Sequence, residues 1–265
     1  DFKIMIFPYQ NPFELRAACR RNEFKRTTTG QALGFEQANI VILPTKYTGD
    51  FQKYCEHNPQ ACPLLSVGSP GDPALPDLGE DIDVRYDLPL YRVFRNGHYE
   101  GERTSIGEIW RDDLIVFALG CSLSFERALI EAGIRLRYVA TGESCAAYRT
   151  ERPTKSVGPF KANLVVTFRG IREDQVERVQ DITRRFPLSH GGPVHTGNPA
   201  VLGIENLGEN IEKIGLAELS DDEVAMFWAC GVTAVDAVQA AAADLTITHS
   251  PSHMLITDRP AFRVE

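Results

Sequence analysis

The chain has 265 residues, 43% of them apolar and 24% charged, and carries a formal net charge of −8 at pH 7. A chain of that length buries a sizeable core, and the composition is that of a globular protein, which excludes a disordered or fibrous one. The acidic balance argues against a nucleic-acid binder, which needs a basic face to meet phosphates, and no apolar run approaches the roughly 18 residues of a membrane span. Six cysteines (Cys19, Cys55, Cys62, Cys121, Cys145, Cys230) lie scattered with no short CxxC pair. In so long a chain they read as free thiols in a reducing compartment, not as a disulfide frame or a zinc ribbon. With no basic, apolar leader at its start, the chain is expected to be cytoplasmic; beginning at Asp1 instead of Met points to residues upstream.

In chain order, DFKIMIFPYQ is apolar enough to pack but too short to classify. Asn11-Pro12-Phe13-Glu14 is a helix start, with a capping Asn, Pro at the first helical position and Glu three residues after the cap. Asn39 to Leu43 (NIVIL), closed by Pro44, reads as a strand buried on both faces. A helix over Gly49 to His57 and a strand over Pro63 to Val67 follow, then a glycine- and proline-rich loop. Asp81 to Tyr86 alternates as a strand does. Asn96-Gly97, between Tyr91–Phe94 and His98-Tyr99, is a hairpin signal. Leu114 to Leu119 (LIVFAL) is a buried run. It ends at Gly120-Cys121-Ser122, where Ser122 can cap a helix with Phe125, Ala128, Leu129 and Ala132 on one face and Gly133 as its stop. Leu136 to Val139 and Ala146 to Tyr148 read as short strands, Asn163 to Phe168 as another, and Glu173 to Arg185 as a helix. Runs at Val224 to Val232 and Leu245 to Thr248 flank a helix-prone alanine stretch.

Strands alternating with helices mean α/β. The expected architecture is a three-layer α/β domain built from both chain ends, 1–112 and 188–265, with a smaller two-layer α/β domain, 113–187, inserted.

Chemistry concentrates in a few places. Phe186 to Pro199 (FPLSHGGPVHTGNP) holds two of the six histidines in a glycine- and proline-rich loop. Imidazole suits proton transfer near neutral pH, so His190 and His195 are candidates, although an ordinary surface loop has the same composition. Cys121 stands just before a helix start, where the dipole lowers a thiol's pKa and free amides bind anions. Ser122, Ser124 and Glu126 belong to the same turn; a small buried cysteine with a routine serine cap is the alternative. Cys230-Gly231 ends an apolar run at a strand terminus where ligands often sit, though core packing explains it too. His249 and His253 are four apart, but Pro251 between them defeats a helical metal pair, which leaves polar pocket lining or structure. Tyr148-Arg149 offers a guanidinium for bidentate grip on a carboxylate, or a structural arginine. The cluster Asp83, Arg85, Asp87 with Trp110–Asp113 reads as a solvated face. P-loop, GxGxxG and GxSxG patterns are absent from the chain.

Several of these segments, QANIVILP, NPQACPLLSVGSPGDP, DIDVRYDLPLYRV, IWRDDLIVFALGCSLSFERAL, YRT, RRFPLSHGGPVHTGNP, FWACGVT and ITHSPSHMLITD, stand in an order that resembles the D-glutamate cyclase family, also called hydro-lyases. The resemblance runs from about Gly30 to Asp258. It implies two α/β domains and loss of water from a small acid, which for D-glutamate means closure to 5-oxo-D-proline. The chain departs from the family pattern at several points. Ser144-Cys145-Ala146-Ala147 replaces Asn-Val-Pro-Met, Leu123 replaces Phe, Asn198 replaces Asp, and Ser250-Pro251-Ser252-His253 replaces Ala-Pro-Gly-His. Loss of bulk and of a stiff proline beside Arg149 would reshape a pocket.

The expected function is therefore a cofactor-independent lyase of hydro-lyase or cyclase type acting on a small amino or hydroxy acid, with no resident metal. Arg149 would take the substrate carboxylate, with Tyr148, Asn198 and Cys230 at the pocket. Ser122 or Ser124 and the amides beside Cys121 would hold an oxyanion. His190 and His195 would divide the acid and base roles, supported by His249 or His253, with Cys121 and Glu126 also catalytic candidates. The alternatives are a metal-assisted α,β-dehydratase of a hydroxy acid and a non-catalytic amino-acid-binding protein. The only partner expected is the small carboxylate, with no nucleic acid and no membrane; a homo-oligomer is compatible with the sequence.

Overall fold

In the computed structural model, which describes residues 9–262, the apolar opening segment lies outside the described residues up to Pro8. Six helices are α1 (Pro12–Arg20), α2 (Thr48–His57), α3 (Glu126–Glu131), α4 (Arg137–Thr141), α5 (Val176–Thr183) and α6 (Val232–Ala240). The strands are β1 (Phe35–Pro44), β2 (Leu64–Val67), β3 (Tyr91–Arg95), β4 (His98–Arg103), β5 (Leu114–Gly120), β6 (Ala147–Pro153), β7 (Asn163–Arg172), β8 (His195–Thr196), β9 (Glu223–Ala229), β10 (Thr246–His249) and β11 (Leu255–Pro260). The fold is α/β with two antiparallel sheets. The larger runs β2-β5-β1-β10-β3-β4 with β11 also on β1, and the smaller runs β6-β7-β9-β8.

Local chemistry explains most boundaries. The Asn11 side chain accepts from the Phe13 amide at 2.8 Å and Pro12 opens α1, so the capping signal operates as read. Asn96 and Gly97, at φ 50° and 78°, make the left-handed pair that a tight β3–β4 hairpin requires. Two short segments differ from expectation. Residues 137–141 are helical, and Gly142 at φ 76° closes the turn as a left-handed cap. Asp81–Tyr86 is a run of turns, because the Asp83 carboxylate takes the Arg85 amide and the Asp87 carboxylate takes the Asp83 amide, displacing ladder bonds.

The large sheet is covered on both faces. One face of β1 and β5 (Val41, Leu43, Ile115, Phe117) packs on α2 and α6 through Phe51, Tyr54, Ala234 and Val238. The other (Ile40, Ile42, Val116, Ala118) packs on Leu75, Leu78, Ile82, Val84 and Leu88 from a proline-rich, turn-built segment, so that covering layer is not helical. In the small sheet, Met226 and Trp228 face α3 and α5 while Ala225 and Phe227 face Leu202 and Ile204. This alternation is the two-residue period of a strand. Sheet membership does not follow the chain division at 113–187. Strand 114–120, buried at every residue, pairs with β1 and β2 in the large sheet, whereas 223–229 pairs with β7 in the small one.

β1 organises the large sheet. β5 pairs along one edge of it from Ala38 to Pro44. The other edge is shared: β10 pairs at Val41 and Ile42, and β11 at Phe35, Gln37 and Ala38. Between those two partners the His249 side chain fills the gap, its Nδ1 lying 3.2 Å from both the amide and the carbonyl of Ile40.

At the end of β5, Gly120 receives the loop that carries His190. A methyl at this position would sit 1.6 Å from the Leu188 carbonyl oxygen, a rigid backbone atom. Gly120→Ala is therefore expected to destabilise the protein by about 3 kcal/mol or more, through overpacking against an atom that cannot rotate away. The measurement is the shift of the urea midpoint; a loss below about 0.5 kcal/mol, the scale of an ordinary surface change, would contradict the close approach.

Candidate active site

A cavity of about 420 Å³ lies between the two sheets. The large sheet contributes Asn39, Arg92, His249 and the turn Cys121–Leu123; the small sheet contributes Ala147, Arg149, Thr167 and Cys230. Residues Val232 to Gln239 of α6, the loop residue His190 and the crossing segment around Ile211 and Glu212 complete the wall.

Two ion pairs stand among these residues. Arg149 holds Asp236 of α6 through Nε and Nη2 at 2.7 and 2.8 Å, which commits one edge of its guanidinium. Arg92 holds Glu212 through Nη1 and Nη2, both at 2.6 Å, and its Nε donates to Glu102 at 3.2 Å. Hydrogen bonding to Arg92 keeps the Glu212 carboxyl below the usual range.

The two cavity histidines are uncharged. Burial pushes the His190 imidazole down to about 4, with the charge on Arg169 acting in the same direction. Its Nδ1 lies 2.8 Å from the Gln60 carbonyl, which accepts when that nitrogen carries the proton, and the Gln60 amide in turn holds the His190 and Gly192 carbonyls at 3.2 and 3.0 Å. Burial likewise takes His249 down to about 4, and its buried Nε2 has no hydrogen-bond partner. The three thiols Cys121, Cys145 and Cys230 are also kept neutral. Burial raises all of them, Cys230 to about 12. The lowering expected for Cys121 from a helix start is thus overridden. It precedes a four-residue 3-10 turn, a weak dipole, and desolvation is the largest influence on the thiol.

Behind the cavity lies a buried polar network. Arg169, 2% exposed, donates to the Tyr138 hydroxyl from Nε at 2.8 Å. Tyr138 donates to Glu126 at 2.6 Å, and Arg169 Nη2 stands 3.5 Å from the same carboxylate. Burial raises Glu126 to about 7, against the opposing pull of Arg169.

Of the residues singled out from sequence, Cys121, Ser122, Arg149, His190, Cys230 and His249 share this cavity. The others are placed elsewhere. His195 lies on β8 with Nε2 2.8 Å from the Asn198 carbonyl and its ring 6.1 Å from that of Phe227, outside the lining. Asn198 caps the turn 199–202 by accepting from the Ala200 amide at 3.0 Å. Tyr148 donates to the Leu207 carbonyl, and His253 Nδ1 faces the Pro251 carbonyl at 2.7 Å. Ser124 accepts from the Gln37 amide at 2.9 Å, tying the turn to β1, and Glu126 is in the network behind. Ser122 caps nothing; its hydroxyl accepts from Arg169 at 3.1 Å instead. Among the described residues no three His, Cys, Asp or Glu side chains converge closely enough to hold a metal ion.

Sequence reasoning missed Arg92, Thr167, Arg169, Glu212 and Asp236. Arg169 did leave a signal, a lone charge after NLVVTF in a strand buried on both faces, which demands a buried partner. Glu212 and Asp236 left none, since an acid in an acidic loop and one on a helix look like solvated charge.

Comparison with known proteins adds the following. A family model described as D-glutamate cyclase matches residues 115–258. A protein of Rhizobium johnstonii is 46% identical over 95% of this chain and 93% of its own length. One from Verminephrobacter eiseniae is 48% identical over 92% and 89%, and one from Bordetella petrii 45% over 93% and 93%. All three carry the description "Putative hydro-lyase". A solved nitrogen repressor-like protein of Methanococcus jannaschii aligns over 92% of this chain and 94% of its own with a TM-score of 0.40 at 10% identity, too loose a likeness to carry an argument.

The burial of the two cavity imidazoles has a direct readout. In long-range proton–nitrogen correlation spectra, His190 and His249 are expected to stay neutral on acidification and to titrate only toward about 4. Midpoints near the ordinary value of about 6.5 would show that the rings are hydrated and not desolvated as described.

Proposed function

The chain belongs to the D-glutamate cyclase family, and from that premise we propose that it is a lyase that removes water from a small acidic amino or hydroxy acid bound in the cavity between the two sheets. The observation that carries this reading is the pairing, in one cavity, of two guanidiniums with two uncharged imidazoles.

For a glutamate-like acid, the amine nitrogen attacks the side-chain carboxyl carbon, a C–N bond forms, a C–O bond breaks and one water leaves. The ammonium gives up two protons in becoming the lactam N–H, and the departing oxygen gains two. No external acid or base is consumed, so the site must only relay protons over a short distance. Neutral imidazoles suit that relay, and a bound carboxylate nearby would raise their basicity above its value in the empty cavity. His190 and His249 take this role, in place of the His190–His195 division expected from sequence, because His195 is outside the lining. Arg149, with one guanidinium edge free of Asp236, takes a substrate carboxylate in bidentate fashion. The neutral thiols and the apolar wall exclude water that would compete for the carboxyl carbon.

Incubation with both enantiomers of glutamate and with related amino and hydroxy diacids, read by mass spectrometry for loss of one water, tests the reaction class. His190→Asn, which tolerates the left-handed backbone, and His249→Gln are each expected to lower kcat by about a hundredfold or more, the scale of general acid–base catalysis. Arg149→Gln is expected chiefly to raise KM. Activity within about tenfold of wild type in both histidine variants would remove them from the mechanism.

A further inference from the structure

Arg169 sends two of its N–H groups toward the cavity. Nη1 donates to Thr167 Oγ1 at 3.2 Å and Nη2 to Ser122 Oγ at 3.1 Å. The rest of the guanidinium is sealed. The rings of Phe125, Trp228 and Tyr138 stand 4.9, 5.1 and 5.5 Å from its central carbon. A guanidinium only donates, so a hydroxyl bonded to it is the acceptor and must turn its own hydrogen elsewhere. Ser122 and Thr167 are 2% and 5% exposed and both line the cavity. Among the described residues neither hydroxyl donates to a protein acceptor. Two buried O–H donors are therefore without protein acceptors and face one cavity from opposite sheets.

We propose that Ser122 and Thr167 form an oxyanion cradle, held in its donating geometry by Arg169 as a positioning residue, that receives a carboxylate oxygen of the ligand. In the cyclisation proposed above, on which this second step rests, the same pair holds the oxygen that becomes charged as the carboxyl carbon turns tetrahedral. Charge accounting supports the assignment. Among the described residues the carboxylate paired with Arg169 is Glu126, whose Oε2 is buried without a partner and whose burial favours the protonated form. Part of the guanidinium charge is thus left to be met from the cavity side. Neither Thr167 nor Arg169 carries a sequence motif for this work; the role comes from β7 placing them two residues apart on one face behind the turn at Ser122.

The test compares Thr167→Val, which keeps the shape and loses the hydroxyl, with Thr167→Ser, which keeps the hydroxyl; Ser122→Ala is a second, independent removal. Each is checked for an unchanged denaturation midpoint and then titrated calorimetrically with glutarate, alongside turnover of the acid substrates. Thr167→Val and Ser122→Ala are expected to weaken glutarate about tenfold and to lower kcat about a hundredfold, the scale of one lost oxyanion donor, while Thr167→Ser recovers most of both. If wild-type protein turns over none of the acids but glutarate binding still depends on the Thr167 hydroxyl, the cradle stands and the cyclase reading falls. If product forms and Thr167→Val matches Thr167→Ser, the cradle falls and the cyclase reading stands. Wild-type protein that binds no glutarate also overturns the cradle.

Discussion

The constraint on which the rest depends is the need of β1 to pair its backbone on both edges while buried along almost its whole length. β5 satisfies one edge without interruption. The other edge is divided between β10 and β11, and a side chain must complete it where they part. His249 stands there at Ile40, its Nδ1 meeting either the amide or the carbonyl according to tautomer, and its Nε2 is buried without a partner. The opposite edge sets up the second imidazole, because β5 ends in the glycine against which the Leu188–His190 loop lies. One cavity histidine is thus placed against β1 itself and the other by the close approach at the end of its neighbour β5.

Desolvation decides the chemistry that follows. An unpaired buried polar atom costs about 1–3 kcal/mol, so a molecule does not keep several in one place without a reason. Here His249 Nε2 and the hydroxyl hydrogens of Ser122 and Thr167 border the same space. Burial and nearby charge act together at Cys121 and at both imidazoles, and at Glu126 burial outweighs the pull of Arg169, leaving each nearer its neutral form. Elsewhere on the lining the balance reverses: Arg92 is partly hydrated and its hydrogen bonds hold the Glu212 carboxyl below the usual range.

Elements whose signals are local were legible from sequence. Asn11-Pro12 at α1, Asn96-Gly97 at the hairpin and the apolar runs of β1, β5 and β7 all act through neighbours within a few residues. The Gly-Cys-Ser turn, His190, Arg149, Cys230 and His249, singled out from motifs far apart in the chain, line one cavity. What failed depended on distant partners. His190 and His195 share a loop, yet the loop leaves His190 inside and delivers His195 to the outer edge of β9, since five residues of chain can cross a sheet boundary. Sheet membership of 114–120 and 223–229 is equally invisible, because an apolar strand does not state which apolar neighbour it will join. Arg92 and Asp236 reach one cavity only when the two sheets meet.

His190 occupies the left-handed region at φ 73°, in a loop where Gly191 follows at 65°. A glycine would adopt that conformation freely; a side chain there costs on the order of 1 kcal/mol. The loop therefore holds a buried imidazole on a backbone conformation that most side chains adopt only at a cost. A glycine would relieve that strain but would empty the space of a buried ring held by the Gln60 carbonyl. Backbone strain and side-chain packing are thus set against each other at a single residue.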